Sequence, residues 1–214
     1  MKTLTVTATG RAAAPPDRIR LSLTLEVLQA DYEAAMKLAD AQLGQLQMAV
    51  AGCGFDVKQL KTDNFAVSPR YEYQTNESGS NERVLVGYTV SHSLQLRFAM
   101  DTQLLAAVLA AVSGCGCKPQ IAISFELENT EALTAAALQD AADGARLRAE
   151  VLAYAAGTQL HELTEIRHGS GMDPVCPTVY GVSLLRSVDA AAVDIAPQDI
   201  TAEETVTFVY SLLE

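Results

Sequence analysis

The chain has 214 residues, 49% of them hydrophobic and 19% charged, and its 15 Lys and Arg against 26 Asp and Glu give a formal net charge of −11. That length and apolar content suffice for a sizeable core, in one large domain or two small ones. The acidic balance repels phosphate backbones and anionic lipid surfaces, which excludes nucleic acid and acidic membranes as expected partners.

Near the N-terminus Leu4, Val6 and Ala8 alternate with threonines, predicting a strand over 2–9 followed by a break at 10–16. This alternating start lacks the continuous apolar run of a signal peptide, and no stretch reaches the roughly 20 apolar residues of a spanning helix. The expectation is a soluble, cytoplasmic chain without an integral membrane segment. In residues 18–29, Ile19, Leu21, Leu23, Leu25 and Val27 alternate with polar side chains, as in a sheet with one face on the core and one in water. Asp31 can cap a helix over about 31–52, in which Tyr32, Ala35, Met36, Ala39, Leu43, Leu46 and Val50 fall at three- and four-residue steps; Gly52-Cys53-Gly54 ends it.

Residues 62–98 read as a long β-hairpin. Phe65, Val67, Pro69, Tyr71 and Tyr73 alternate on its first strand, 76–81 is a polar turn, and the even positions from Val84 to Phe98 form a mostly apolar column. The second strand is about three times the usual length, so it must bend or project. Its unbroken even column argues against an inserted bulge residue, and Gly87 is the place where a kink is allowed. Asp101 caps a second helix over about 102–113 with almost no polar face, expected to be buried on two sides. A strand follows with Ile121, Ile123, Phe125 and Leu127 inward, then a third helix over about 130–156, capped by Asn129, with alanine-rich faces: Ala137, Ala141 and Ala145 on one, Leu138, Ala142, Ala149 and Leu152 on another. Strands are expected at 161–168 and 205–213, and 169–197 is a long irregular loop, of a length that is normally functional, a binding element or disordered.

No catalytic constellation emerges. Glu126 and Glu128 share a face of a strand, as an acid and base pair would, but a solvated outer face explains them more simply, and the same holds for Arg18 and Arg20. His92 lies in the apolar column, where a histidine can be a ligand or proton relay; with no Cys or carboxylate at ligand spacing it reads as a half-buried core histidine. Cys53, Cys115, Cys117 and Cys176 are too sparse for a disulfide framework and read as free thiols. Cys115-Gly116-Cys117 lacks the two-residue spacer of zinc knuckles and thioredoxin-type sites, although Cys176 and His168 could complete a four-ligand set. Asn76-Glu77-Ser78 fits a glycosylation sequon. No catalytic, metal or cofactor-binding residue is assigned, and no cofactor is expected.

Taken together, several segments resemble the SIMPL-domain family, a bacterial group of periplasmic immunogenic or oxidative-stress-associated proteins of unknown function. The resemblance rests on Val6-Thr7-Ala8-Thr9-Gly10 with Pro16-Asp17, on Thr62 with Ser68-Pro69-Arg70-Tyr71, and on Val86-Gly87-Tyr88 leading to Ser93-Leu94. It continues through Asp101, Ile123-Ser124-Phe125, the run from Arg148 to Ala153 before Ala156-Gly157, Ile195-Ala196-Pro197 and Thr205-Val206-Thr207-Phe208. The chain is expected to depart from many relatives in lacking a signal peptide, and it has Gly144 where an acidic residue is expected. The resemblance implies an α+β fold, here an antiparallel or mixed sheet bearing the long hairpin and three main helices, in a single SIMPL-like domain over 1–214. It also implies self-assembly, since a relative looks like a ring-shaped, channel-like oligomer, and it supplies no catalytic residues. The expected function is a non-enzymatic, self-associating homo-oligomer with a family link to stress response. The alternative is a small-molecule-binding protein or unrecognised enzyme with a pocket under the 169–197 loop.

Overall fold

The computed structural model describes residues 2–75, 81–168 and 196–213. In chain order the elements are β1 (Thr3–Ala14), β2 (Arg18–Gln29), α1 (Tyr32–Gly52), a 3-10 turn (Val57–Gln59), β3 (Lys61–Thr75), β4 (Asn81–Ala99), α2 (Thr102–Gly114), β5 (Gln120–Glu126), α3 (Thr130–Ala155), β6 (Gln159–His168) and β7 (Ile200–Leu213). The α+β class is as expected, but the strands divide between two sheets, ordered β1-β7-β6 and β3-β4-β2-β5. The chain likewise divides into two compact units: the described residues 2–17, 126–168 and 197–213 form one, and 18–75, 81–125 and 196 the other.

In the unit built on the four-stranded sheet, β2 pairs antiparallel with β4 from Arg18 opposite Ala99 to Gln29 opposite Tyr88. The alternation of β2 places Ile19, Leu21 and Leu23 on one face, completely buried with Leu96, Leu46, Val50, Val108 and Val112. Each such side chain contributes about 1.5–3 kcal/mol by leaving water. Helix α1 begins where Asp31 accepts the Ala34 amide at 3.0 Å, and its end is followed by Gly54 in the left-handed region at φ 91°. Asp101 caps α2 through the Gln103 and Leu104 amides. Helix α2 is not buried on two sides: Leu105, Val108 and Val112 are buried, while Ala106, Ala107 and Ala110 are exposed. Alanines carry so little apolar surface that the outward face needs no cover.

The other unit packs α3 on the three-stranded sheet. Strand β1 runs five residues further than the sequence suggests, because Gly10 to Ala14 continue the antiparallel ladder with Glu204 to Ile200 of β7, which itself starts earlier than expected. Gly10 belongs to the strand for a packing reason rather than a turn. A methyl group there would overlap the Ala141 amide nitrogen and the Ala137 carbonyl oxygen. The helix backbone reaches the strand because Ala137, Ala141, Ala145 and Ala149 form a fully buried stripe at four-residue steps, the last three closing on Val6, Ala8, Val206, Phe208 and Tyr210 and Ala137 on Ile200 and Ala202. On the opposite face of the sheet, Thr7 pairs with Thr207 and Thr9 with Thr205 through hydroxyls 2.8 and 2.9 Å apart. The long-loop expectation at 169–197 lies outside the described residues, except for its last two positions.

These contacts predict opposite signs for three glycines. Gly10→Ala forces strand and helix apart and lowers unfolding free energy by about 1–3 kcal/mol. By contrast, a methyl group at Gly144 of α3 meets only Ala8 Cβ at 3.9 Å, and one at Gly44 of α1 meets nothing within 4 Å. Gly144→Ala and Gly44→Ala should therefore each stabilise by about 0.5–1 kcal/mol through helix propensity. Urea unfolding of the three variants checks the set; equal signs would contradict the packing.

Candidate functional site

The hairpin of β3 and β4 presents the most distinctive surface of its unit. Strand β4 has 19 residues, but β2 accompanies it only as far as Tyr88, so 81–87 pair with β3 alone. This resolves the excess length: the strand runs on past the end of β2 as a two-stranded ribbon. The transition contains a bulge that the sequence pattern argued against. Arg70 faces Gly87 but Tyr71 faces Leu85, leaving Val86 as the extra residue. Gly87 has φ 150°, and a Cβ there would strike the Gln29 carbonyl.

The bulge changes which β4 residues share a face. Along β3 the column Phe65, Val67, Pro69, Tyr71, Tyr73 is uninterrupted; its β4 partners are His92, Val90 and Tyr88 before the bulge and Leu85 and Arg83 after it. Helix α1 covers the middle of that face, where Val27, Val90, Ala35 and Ala39 are buried together with half-buried Met36, Val67 and Tyr88, while Phe65 and Pro69 at the sheet edge stay exposed. Tyr32, in the first turn of α1, meets Tyr88 edge to face at 5.6 Å. Past that ring the face continues as Tyr71, Tyr73 and Leu85, which the described residues leave 41%, 76% and 44% exposed. The Arg83 guanidinium lies 3.9 Å over the Tyr71 ring, a cation–π contact across the ribbon. β3 is also an edge of the sheet, which accommodates Pro69, a residue without an amide to donate.

The histidines, carboxylates and arginines with candidate chemistry are held by structural contacts. His92 is buried, its Nε2 2.9 Å from the Thr62 hydroxyl and its ring edge-on to Phe65 at 5.0 Å. Burial pushes its pKa below the ordinary 6.5. Glu126 ends β5 and Glu128 lies beyond it, so the two do not share a strand face; Asp17 ties this corner by accepting the Glu128 amide at 2.8 Å and donating its own amide to the Glu126 carbonyl. Arg20 donates to Ser124 at 3.1 Å. His168 sits 3.1 Å from Glu204. On β6 the Arg167 guanidinium holds the Glu165 carboxyl below the usual range. Cys115 and Cys117 bring their sulfurs to 2.8 Å, a contact that the one-residue spacing did not suggest. Cys176 and Asn76-Glu77-Ser78 lie outside the described residues. Among the described residues, no group of three or more His, Cys, Asp and Glu is placed to hold a metal, and no helix is long and apolar enough to cross a membrane.

In the other unit, an open apolar groove of about 560 Å³ runs between β1 and α3, lined by Thr5, Val6, Thr7, Leu147, Arg148, Val151 and Leu152. The Arg148 guanidinium donates to the Thr7 carbonyl at 3.2 Å. Leu147, Val151 and Leu152 remain about half or more exposed.

The profile of the SIMPL family, described as a protein of unknown function (DUF541), matches residues 4–210. The 26 kDa periplasmic immunogenic protein of Brucella melitensis biotype 1 is 27% identical over 199 residues, covering 89% of this chain and 75% of that protein. The protein of the same description from Brucella abortus (strain S19) gives the same figures.

The burial of His92 carries a pH signature. The unfolded chain protonates His92 near pH 6.5 while the folded chain resists, so the unfolded state binds more protons and stability falls as pH drops below that value. Between about pH 7 and pH 5 the unfolding free energy of wild type should decline more steeply than that of His92→Gln; parallel profiles would mean that His92 protonates equally easily in both states.

Proposed function

The chain belongs to the SIMPL family, and from that premise we propose that it is a non-enzymatic protein that associates with copies of itself through the β3–β4 ribbon. The observation that carries this reading is the uncovered continuation of a core-facing column: Tyr71, Tyr73 and Leu85 lie on the same face as residues that α1 buries, beyond the reach of that helix. Aromatic side chains of this kind bury large areas at low entropic cost, and an edge strand offers unpaired backbone groups to a second chain. In support of a non-enzymatic role, His92, His168 and Glu165 each have a structural partner.

The Brucella relatives are named as periplasmic proteins, and we carry that compartment to this chain in place of the cytoplasmic expectation. A link to stress response is carried by the family resemblance alone. The second reading, binding of a small apolar molecule, is favoured by the groove between β1 and α3, whose size lies in the range of roughly 300–1,000 Å³ typical of ligand pockets.

Sedimentation velocity discriminates. Wild type should sediment as an oligomer at micromolar concentration, and the double substitution Tyr73→Lys, Leu85→Lys should weaken association at least about tenfold, or roughly 1.4 kcal/mol, with an unchanged far-UV spectrum. A strictly monomeric wild type, or a variant of undiminished size, would contradict the proposal. Apolar-dye binding lost in Val151→Arg and retained in the ribbon variant would instead favour the groove.

A further inference from the structure

The Cys-Gly-Cys segment after α2 has no part in the ribbon or the groove. Cys115 is the C-terminal cap residue of α2, with φ −75° and ψ −5°, and its amide donates to the Val112 carbonyl at 3.4 Å. Gly116 follows at φ 84° and Lys118 at φ 46°. A left-handed lysine is uncommon, and the preceding-proline position it occupies before Pro119 makes helical dihedrals less favourable still. The two left-handed residues flank Cys117 and curl the chain, bringing both sulfurs to the same side, 2.8 Å apart. The Cys115 thiol also lies 2.9 Å from the Val112 carbonyl, to which it donates. With its one proton used there, the contact between the sulfurs is made by Cys117 donating to Cys115.

We infer that Cys115 and Cys117 form a reversible dithiol–disulfide site that exchanges with low-molecular-weight disulfides. Two non-bonded sulfurs at 2.8 Å are closer than ordinary packing and within about 1 Å of the roughly 2.0 Å disulfide bond length. The two thiols differ in access. Cys117 is buried at 8% exposure, and burial, then its hydrogen bond to Cys115, push its pKa up to about 12; Cys115 is half-buried. This orders the steps. The Cys115 thiolate attacks one sulfur of the reagent RSSR, forming a mixed disulfide and releasing one thiolate, which takes up a proton as RSH. Cys117 then gives up its proton and attacks the Cys115 sulfur, forming the intramolecular bridge and expelling the second RSH. The protein loses two electrons and two protons, and one RSSR becomes two RSH. A bridge across a single glycine constrains almost no chain, so little loop entropy holds it closed and reducing thiols reopen it.

The test is to equilibrate the full chain anaerobically in graded mixtures of oxidised and reduced glutathione, quench with acid, alkylate and digest with trypsin. Because Lys118 precedes proline, residues 98–146 leave as one peptide holding Cys115 and Cys117 and no other cysteine. The expected result is a peptide two hydrogens lighter and unalkylated in the oxidising mixtures, fully alkylated again in the reducing ones. Cys53→Ala should retain this behaviour, and Cys115→Ala and Cys117→Ala should each lose it. Alkylation of both thiols at every ratio, glutathione retained on Cys115 without closure, or a bridge from either residue to Cys53 or Cys176 would overturn the inference; the wild-type titration decides this even where a variant fails to fold.

Discussion

The contact of the Gly87 backbone with the Gln29 carbonyl sets what the long hairpin can do. At that point β2 leaves the sheet, and the close approach leaves no room for a side chain on β4. The bulge beside it, with Val86 as the extra residue, turns the strand so that Leu85 rather than Val84 or Val86 joins the column of Tyr71 and Tyr73. Without the bulge, strand alternation would place Leu85 on the opposite face. One glycine and one inserted residue thus divide a 19-residue strand into a buried segment and an exposed apolar ribbon.

The other unit depends on a different use of small residues. Its helix carries alanine at every fourth position, and the strand beneath carries glycine where the approach is tightest. Large core side chains would have kept the helix axis farther from the sheet. The result is a thin, closely packed layer in which a single added methyl group is a steric error, whereas the same addition at Gly144 in the same helix is harmless. Close backbone packing leaves the longer side chains of α3, Leu147 and Val151 among them, directed away from the core, and they form one wall of the open groove.

Much of this architecture is visible in the residues themselves. The caps at Asp31, Asp101 and Asn129, the alternation of β2 and the alanine stripe of α3 are local patterns, and each forms the expected element. What the chain does not reveal locally is set by partners distant in sequence. Gly10 to Ala14 look like a break until β7, some 190 residues away, pairs with them. The bulge is hidden because Val84 and Val86 continue an apolar alternation that the backbone does not follow. Glu126 and Glu128 look paired because the strand's end at Glu126 depends on Asp17 tying the turn. The sulfur contact between Cys115 and Cys117 requires left-handed dihedrals at Gly116 and at Lys118, and only the glycine is suggestive in advance.

Family membership places the chain among proteins of unknown function, so the physical account rests on the ribbon: the continuation of a core-facing surface that the described residues of its unit leave exposed, crossed by the Arg83–Tyr71 contact and bounded by an edge strand. Hydrogen exchange at the backbone amides of 71–75 and 81–85, followed by mass spectrometry across a hundredfold range of protein concentration, tests that account most directly. It predicts protection in the ribbon that rises with concentration while the β2–β4 amides remain equally protected throughout. Ribbon exchange that is independent of concentration would contradict it.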